Sequence, residues 1–160
     1  MNIIDYKVVL YDNTYLKYKD AIKEFIKDTE KLFQPPISTR IELNEYINKL
    51  FNESIIYVAI DNTTDEIIGI VAFYCSPLYY DYAFLTYIAV SKQGLGVGSS
   101  LLEASLRHVK NNGMKGVDTQ TWENNIISRQ MFKKFGFLEI RFVANRNSDQ
   151  NSVILRYEFK

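Results

Sequence analysis

Glycine recurs at every second position in Gly94-Leu95-Gly96-Val97-Gly98, and this spacing sets the first chemical expectation. A residue without Cβ lets the backbone bend sharply or a ligand approach it closely. The apolar run Phe84-Leu85-Thr86-Tyr87-Ile88-Ala89-Val90 precedes the glycines, and Leu101-Leu102-Glu103-Ala104-Ser105-Leu106 follows them. The order reads as strand, turn and amphipathic helix. The start of a helix presents unpaired N–H groups and a partial positive charge. Phosphate oxygens bind there without needing a lysine or arginine. The stretch therefore predicts a phosphorylated ligand.

Two nucleotide motifs compete for the turn, and neither fits. A phosphate loop of the NTPase type needs Gly-Lys followed by Ser or Thr, and no lysine follows these glycines. A dinucleotide fold needs Gly-x-Gly-x-x-Gly, whereas the third glycine here comes one residue early. Asp118 lies at a suitable distance for a ribose-binding acid, but it falls inside a strand pattern rather than at its end. Other chemistries lack their residues. Cys75 is the single cysteine and His108 the single histidine, so neither a cysteine–histidine metal cluster nor a histidine-dependent hydrolase triad is expected. Cys75 reads as a small buried hydrophobe and His108 as a surface or capping residue.

The elements that must hold the turn follow from periodicity. At 160 residues, with 47% apolar and 24% charged, the chain is expected to form one domain over 1–160. Nineteen basic and nineteen acidic side chains cancel, so no nucleic-acid or membrane partner is expected. The lack of a signal-peptide pattern and the lone cysteine make the cytoplasm the expected location. A short β-prone run at Lys7–Tyr11 precedes a helical pattern of Leu16, Ala21, Ile22, Phe25, Ile26, Leu32 and Phe33. A second helix is expected after Pro36, with Thr39 and Glu42 as a capping box. Runs 54–61, 66–76 and 82–90, joined by short turns, predict an antiparallel meander. The run Gly116–Trp122 follows a helix and must lie parallel to Tyr82–Val90. Asn124 or Asn125 caps a helix through Phe135, and a final strand pair closes the chain. The fold class is a mixed α/β sheet of about seven strands with four helices.

In this setting the chain resembles the GNAT family of N-acetyltransferases. Gln93-Gly94-Leu95-Gly96-Val97-Gly98 matches the family's acyl-CoA pyrophosphate signature, Gln/Arg-x-x-Gly-x-Gly/Ala. The run Asn125 to Phe137, with Ser128, Phe132 and Gly136, is similar to the family segment Asn-x-x-Ala-x-x-x-Tyr-x-x-x-Gly-Phe. The resemblance implies transfer of an acetyl group from acetyl-CoA to a primary amine, with no metal. It implies that the strands Tyr82–Val90 and Gly116–Trp122 splay apart. It places the pantetheine arm along Ile88, Ala89 and Val90, and the pyrophosphate on amides of Gln93, Gly94, Leu95, Gly96, Val97, Gly98 and Ser99. Asn125, Ser128 and Phe132 are implied as further cofactor contacts.

The sharpest departure is Phe132, which stands where the family often has the tyrosine that protonates the thiolate. Water or another hydroxyl is then expected to protonate the thiolate, and Tyr87 is the candidate hydroxyl, either facing the site or facing the core. Asp81, Glu123 or a water chain are the candidates to take the amine proton, and spacing favours none of them. The acceptor is expected to be a small-molecule amine, near Phe33, Gln34, Pro35, Tyr79, Tyr80, Tyr82 and Trp122. Val117-Asp118-Thr119-Gln120 is similar to a Thr-Gln pair in relatives acting on nucleotide-linked amino sugars, which leans the acceptor that way. Polyamines, antibiotics and protein amines stay open, as do a homodimer and a non-catalytic acyl-CoA-binding module.

Overall fold

A computed structural model describes residues 3–33, 36–145 and 149–160. Seven strands form one mixed sheet in the order β1-β2-β3-β4-β5-β7-β6. In chain order these are β1 (Tyr6–Leu10), α1 (Lys19–Thr29), α2 (Leu43–Glu53), β2 (Ile55–Asp61), β3 (Ile67–Tyr74), β4 (Tyr82–Val90) and α3 (Val97–Asn111). β5 (Gly116–Trp122), α4 (Ile126–Phe135), β6 (Leu138–Ala144) and β7 (Asn151–Glu158) complete the chain. Among the described residues the one parallel pairing is β4 with β5, as the intervening helix requires. The chain divides into two compact units, Met1–Tyr74 with Tyr87–Ser105 and Cys75–Thr86 with Leu106–Lys160.

The first unit is organised by the period-2 pattern of β2. Ile56, Val58 and Ile60 share one face and are fully buried with Ile70 and Ala72 of β3. Ile22, Phe25 and Ile26 of α1, with Ile47 and Leu50 of α2, cover that face at helical spacing. The first part of α3 covers the other face. A Cβ on Gly69 of β3 would lie 2.9 Å from both Leu101 and Val97 side chains.

The first helix is shorter than the apolar spacing suggested. 3-10 turns at Asn13–Tyr18 and Glu30–Leu32 flank α1, and Leu16 and Leu32 are exposed. The buried stripe is Ile22, Phe25, Ile26 and Thr29, which is as long as one α-helix of 11 residues can present. The expected capping box at Thr39 does not form. The Thr39 hydroxyl donates to the Pro36 carbonyl, and Glu42 itself caps α2 by accepting from the Glu45 N–H at 2.6 Å.

In the second unit β7 enters between β5 and β6, antiparallel to both. Gly116 makes this insertion possible, because a Cβ there would sit 1.8 Å from the Tyr157 carbonyl oxygen. Arg156 of β7 forms a bidentate pair with Asp118 of β5, at 2.7 and 3.0 Å. Its guanidinium lies 3.8 Å from the centroid of the Tyr82 ring. Asp118 is therefore engaged as a strand-to-strand tie rather than a ribose ligand. α4 is tied to β6 by Arg129 and Lys133, both paired with Glu139.

Candidate active site

The glycine turn lies in the first unit, immediately after β4. The Ser91 N–H and hydroxyl both donate to the Ile68 carbonyl, at 2.9 and 3.2 Å, which fixes the chain on β3 as it leaves the strand. Gly94 and Gly96 then take φ of +83° and +78°. These left-handed values cost an L-residue about 1–2 kcal/mol, so the glycines are a backbone requirement. Open space surrounds both, with nothing within 4 Å of a Cβ built on either.

The Ser100 N–H donates to the Gly96 carbonyl at 3.0 Å as the first bond of α3. The amides of Val97, Gly98 and Ser99 precede that bond and have no acceptor within the helix. Val97 is buried and anchors the turn, while Gln93, Gly94, Gly96 and Ser99 are exposed and Leu95 and Gly98 partly so. The Tyr6 hydroxyl of β1 reaches the same place, 2.7 Å from Ser100 Oγ and 3.4 Å from the Gly96 carbonyl. Tyr6 thus braces the first turn of α3. No sequence signal connects two residues 94 positions apart.

Ile88, Ala89 and Val90 form the half-buried end of β4. The parallel register with β5 runs from Tyr82↔Gly116 to Leu85↔Thr119. Among the described residues, Ile88–Val90 lie beyond the last of those pairs. An extended segment with one unpaired edge can receive the amides of an extended ligand as an added strand would. The Thr119 hydroxyl donates to the Leu85 carbonyl at 2.9 Å, tying the last pair.

Asn125, Ser128 and Phe132 lie in the second unit on α4. Asn125 caps the helix, its Oδ1 accepting from the Ser128 N–H at 3.3 Å while its Nδ2 donates to Thr121 Oγ1 at 3.0 Å. Phe132 is 2% exposed and meets Phe137 edge to face, with centroids 5.1 Å apart. A hydroxyl added to so buried a ring needs a partner. Phe132→Tyr is expected to lower stability by about 1–3 kcal/mol and leave acetyl-CoA affinity within about threefold. Thermal melts and calorimetric titration of the variant check both.

Tyr87 faces the core. It is 0% exposed, stacks on Phe33 at 4.6 Å between centroids and lies 6.4 Å from the Tyr46 ring. Its hydroxyl is 2.6 Å from Thr29 Oγ1, and the Thr29 hydroxyl in turn donates to the Phe25 carbonyl. With the Thr29 proton so placed, the Tyr87 proton points at Thr29. Burial pushes the phenol well above its usual range, and the field of Tyr46 and Glu30 adds to that. Tyr87→Phe is therefore expected to cost about 1 kcal/mol of stability and change turnover less than threefold. A hundredfold fall in kcat at unchanged melting temperature would restore Tyr87 as the acid.

The other expected residues scatter. Tyr79 and Tyr80 are exposed, and Tyr82 donates to Glu158 at 2.7 Å. With Pro77, Leu78, Asp81 and Asp118 they line a shallow cavity of about 480 Å³. Asp81 pairs with Lys115 at 3.6 Å, Glu123 is exposed, and Trp122 is buried. Gln34 and Pro35 lie outside the described residues. Periodicity gave no hint of Glu30, a carboxylate only 9% exposed on the 3-10 turn after α1. It accepts from the Ser38 N–H at 3.1 Å and the Ser38 hydroxyl at 3.0 Å.

Among the described residues no group of three His, Cys, Asp or Glu is placed to hold a metal, and no helix is long and apolar enough to cross a membrane. Solved structures share this fold. A proposed acetyltransferase from Staphylococcus epidermidis ATCC 12228 matches with a TM-score of 0.78 at 17% identity, over 98% of this chain and 100% of its own. The Escherichia coli ribosomal-protein-S18-alanine N-acetyltransferase matches at 0.74 and 15%, over 96% and 94%. A proposed streptothricin acetyltransferase from Bacillus anthracis str. Ames, crystallised with acetyl coenzyme A, is 29% identical with a TM-score of 0.61, over 73% and 68%. No curated protein sequence matches the chain. The profile of the acetyltransferase (GNAT) family matches residues 19–137. With that match across most of its length, and with its mixed seven-stranded sheet, the chain belongs to the GNAT family of acetyltransferases.

Proposed function

We propose that this protein transfers the acetyl group of acetyl-CoA to a primary amine of a small molecule. The observation that carries the reading is the turn after β4. Two left-handed glycines in open space lead into three helix-start amides with no intrahelical acceptor, a cradle suited to a diphosphate. Each charge-assisted bond from those amides is worth roughly 1.5–3 kcal/mol. The end of β4 at Ile88–Val90, beyond its last pair with β5, suits the two amides of a pantetheine arm. Asn125, Ser128 and Phe132 stay proposed contacts of the same cofactor on the family motif.

In the reaction the amine nitrogen attacks the thioester carbonyl, a C–N bond forms, the C–S bond breaks and the thiol leaves. An amine with a lysine-like pKa near ~10.4 must first give up a proton, which passes to a water chain and so to solvent. Neither Phe132 nor the engaged Tyr87 hydroxyl is available to protonate the departing sulfur, so that role falls to water. The lean toward nucleotide-linked amino sugars now rests on exposed Gln120 alone, because the Thr119 hydroxyl is spent on the Leu85 carbonyl. The streptothricin assignment of the B. anthracis protein supports an antibiotic-like amine instead.

The absence of both tyrosine acids favours a second reading, a module that binds acyl-CoA without turning it over. Thiol release measured against amino sugars, polyamines, aminoglycosides and peptide amino termini decides between them. Release with one class of small amine, and a matching acetamide by mass, is expected. Tight acetyl-CoA binding with no release on any amine would overturn the catalytic reading.

A further inference from the structure

Tyr6 opens β1 on the face of the sheet that α3 covers. Val9 of the same strand and Tyr11 just beyond it pack against the core under α1 and α2, so the alternation of the strand turns Tyr6 and Val8 the other way. The backbone there is held on two counts. Tyr6 pairs with Asp61 of β2, and the Asn62 N–H and Nδ2 donate to the carbonyl and carboxylate of Asp5, at 2.9 and 3.0 Å. From this fixed base the Tyr6 hydroxyl lies 2.7 Å from Ser100 Oγ and 3.4 Å from the Gly96 carbonyl oxygen. Both contacts are used when the Ser100 hydroxyl donates to the Tyr6 oxygen and Tyr6 donates to Gly96. The same carbonyl accepts the Ser100 N–H at 3.0 Å. A trans peptide is planar, so its C=O and N–H point opposite ways. Holding the Gly96 carbonyl into α3 therefore aims the Val97 N–H back toward the open end of the helix.

Gly94 and Gly96 stand in open space, so side-chain packing does not order them. Glycine has the most conformational freedom to lose, and a ligand that must order its own site binds more weakly by that cost. We propose that Tyr6 is a positioning residue for the diphosphate turn. Its hydroxyl, set between Ser100 Oγ and the Gly96 carbonyl, keeps the turn in its binding conformation before coenzyme A arrives. Tyr6 acts through Gly96 and Ser100, and its own hydroxyl is spent on them. This inference rests on the acetyl-CoA reading of the turn.

Calorimetric titration of coenzyme A and of pantetheine, which lacks the diphosphate, into the whole chain tests it. The wild type is expected to bind coenzyme A at least about tenfold more tightly than pantetheine. Tyr6→Phe keeps the ring and removes the hydroxyl. It is expected to weaken coenzyme A about five- to tenfold, as for the loss of one hydrogen bond, and to leave pantetheine within about twofold. Adding Ser100→Ala to Tyr6→Phe is expected to cost no further affinity, because the two hydroxyls act as one unit. A purely structural Tyr6 would show a lower melting temperature with coenzyme A affinity unchanged, and that result overturns the proposal. So would an equal loss for pantetheine, or a further loss on adding Ser100→Ala. The two readings fail differently. A preference for coenzyme A that survives Tyr6→Phe but not Gly96→Glu sinks the role of Tyr6 alone. A wild type that binds coenzyme A no better than pantetheine sinks the diphosphate turn, and the role of Tyr6 with it.

Discussion

Gly96→Glu is expected to abolish coenzyme A binding, with at least a hundredfold loss of affinity and a stability change of only about 1–2 kcal/mol. The two effects separate because of the local geometry. The φ of +78° makes any side chain there pay the left-handed penalty, yet a Cβ meets nothing within 4 Å. The free protein therefore tolerates the substitution, and the loss comes from the ligand. A carboxylate at about 5 Å from a phosphate oxygen repels it by roughly 3 kcal/mol at an effective dielectric of 20. Each ~1.4 kcal/mol is tenfold in affinity, so a diphosphate is rejected more than a hundredfold. Gly96→Ala, with the strain and without the charge, is expected to lose less than about tenfold. Calorimetry with coenzyme A and with pantetheine, which lacks the diphosphate, makes the comparison specific. Gly96→Glu should reject the first and spare the second. Undiminished coenzyme A affinity would move the pyrophosphate site elsewhere.

Gly116→Ala is expected to be the most damaging single-methyl change in the second unit. The added Cβ would stand 1.8 Å from the Tyr157 carbonyl oxygen and 2.9 Å from its carbonyl carbon. These are backbone atoms of β7, so no rotamer change relieves the overlap. Gly116 is also the first residue of β5 and pairs with Tyr82 on one side and Glu158 on the other. Separating β5 from β7 strains that register and pulls on the Asp118–Arg156 tie two residues along. Overpacking against a fixed backbone places the cost at about 3–5 kcal/mol, a fall of roughly 10 °C or more in melting temperature. A shift under about 3 °C would show that β7 yields more easily than the pairing suggests.

Much of the architecture was legible because local rules and global fold agreed. The meander, the parallel return of Gly116–Trp122 and the cap at Asn125 each follow from periodicity, chain connection or a turn residue that the structure repeats. The glycine turn was legible for the same reason, since a left-handed backbone leaves its mark on residue type. Helix ends were less so. Leu16 and Leu32 continue the apolar spacing of α1 but lie on 3-10 turns, where the angular period changes and the same spacing no longer faces the core. Thr39 and Glu42 matched a capping pattern that two acceptors then resolved differently.

What a single chain determines by itself is whatever the backbone demands of one residue type: glycines where φ is positive, asparagine where a helix begins, β-branched runs where strands pair. The tertiary structure alone decided which way a side chain points and what it then meets. Tyr87 turns to Thr29 and Phe33, Asp118 to Arg156, and Glu30 to Ser38. Those partners come from other elements, up to 58 positions away, and a hydroxyl or carboxylate has chemistry only in relation to them. The glycine turn is a property of the backbone, and the partners of Tyr87, Asp118 and Glu30 are a property of the packing.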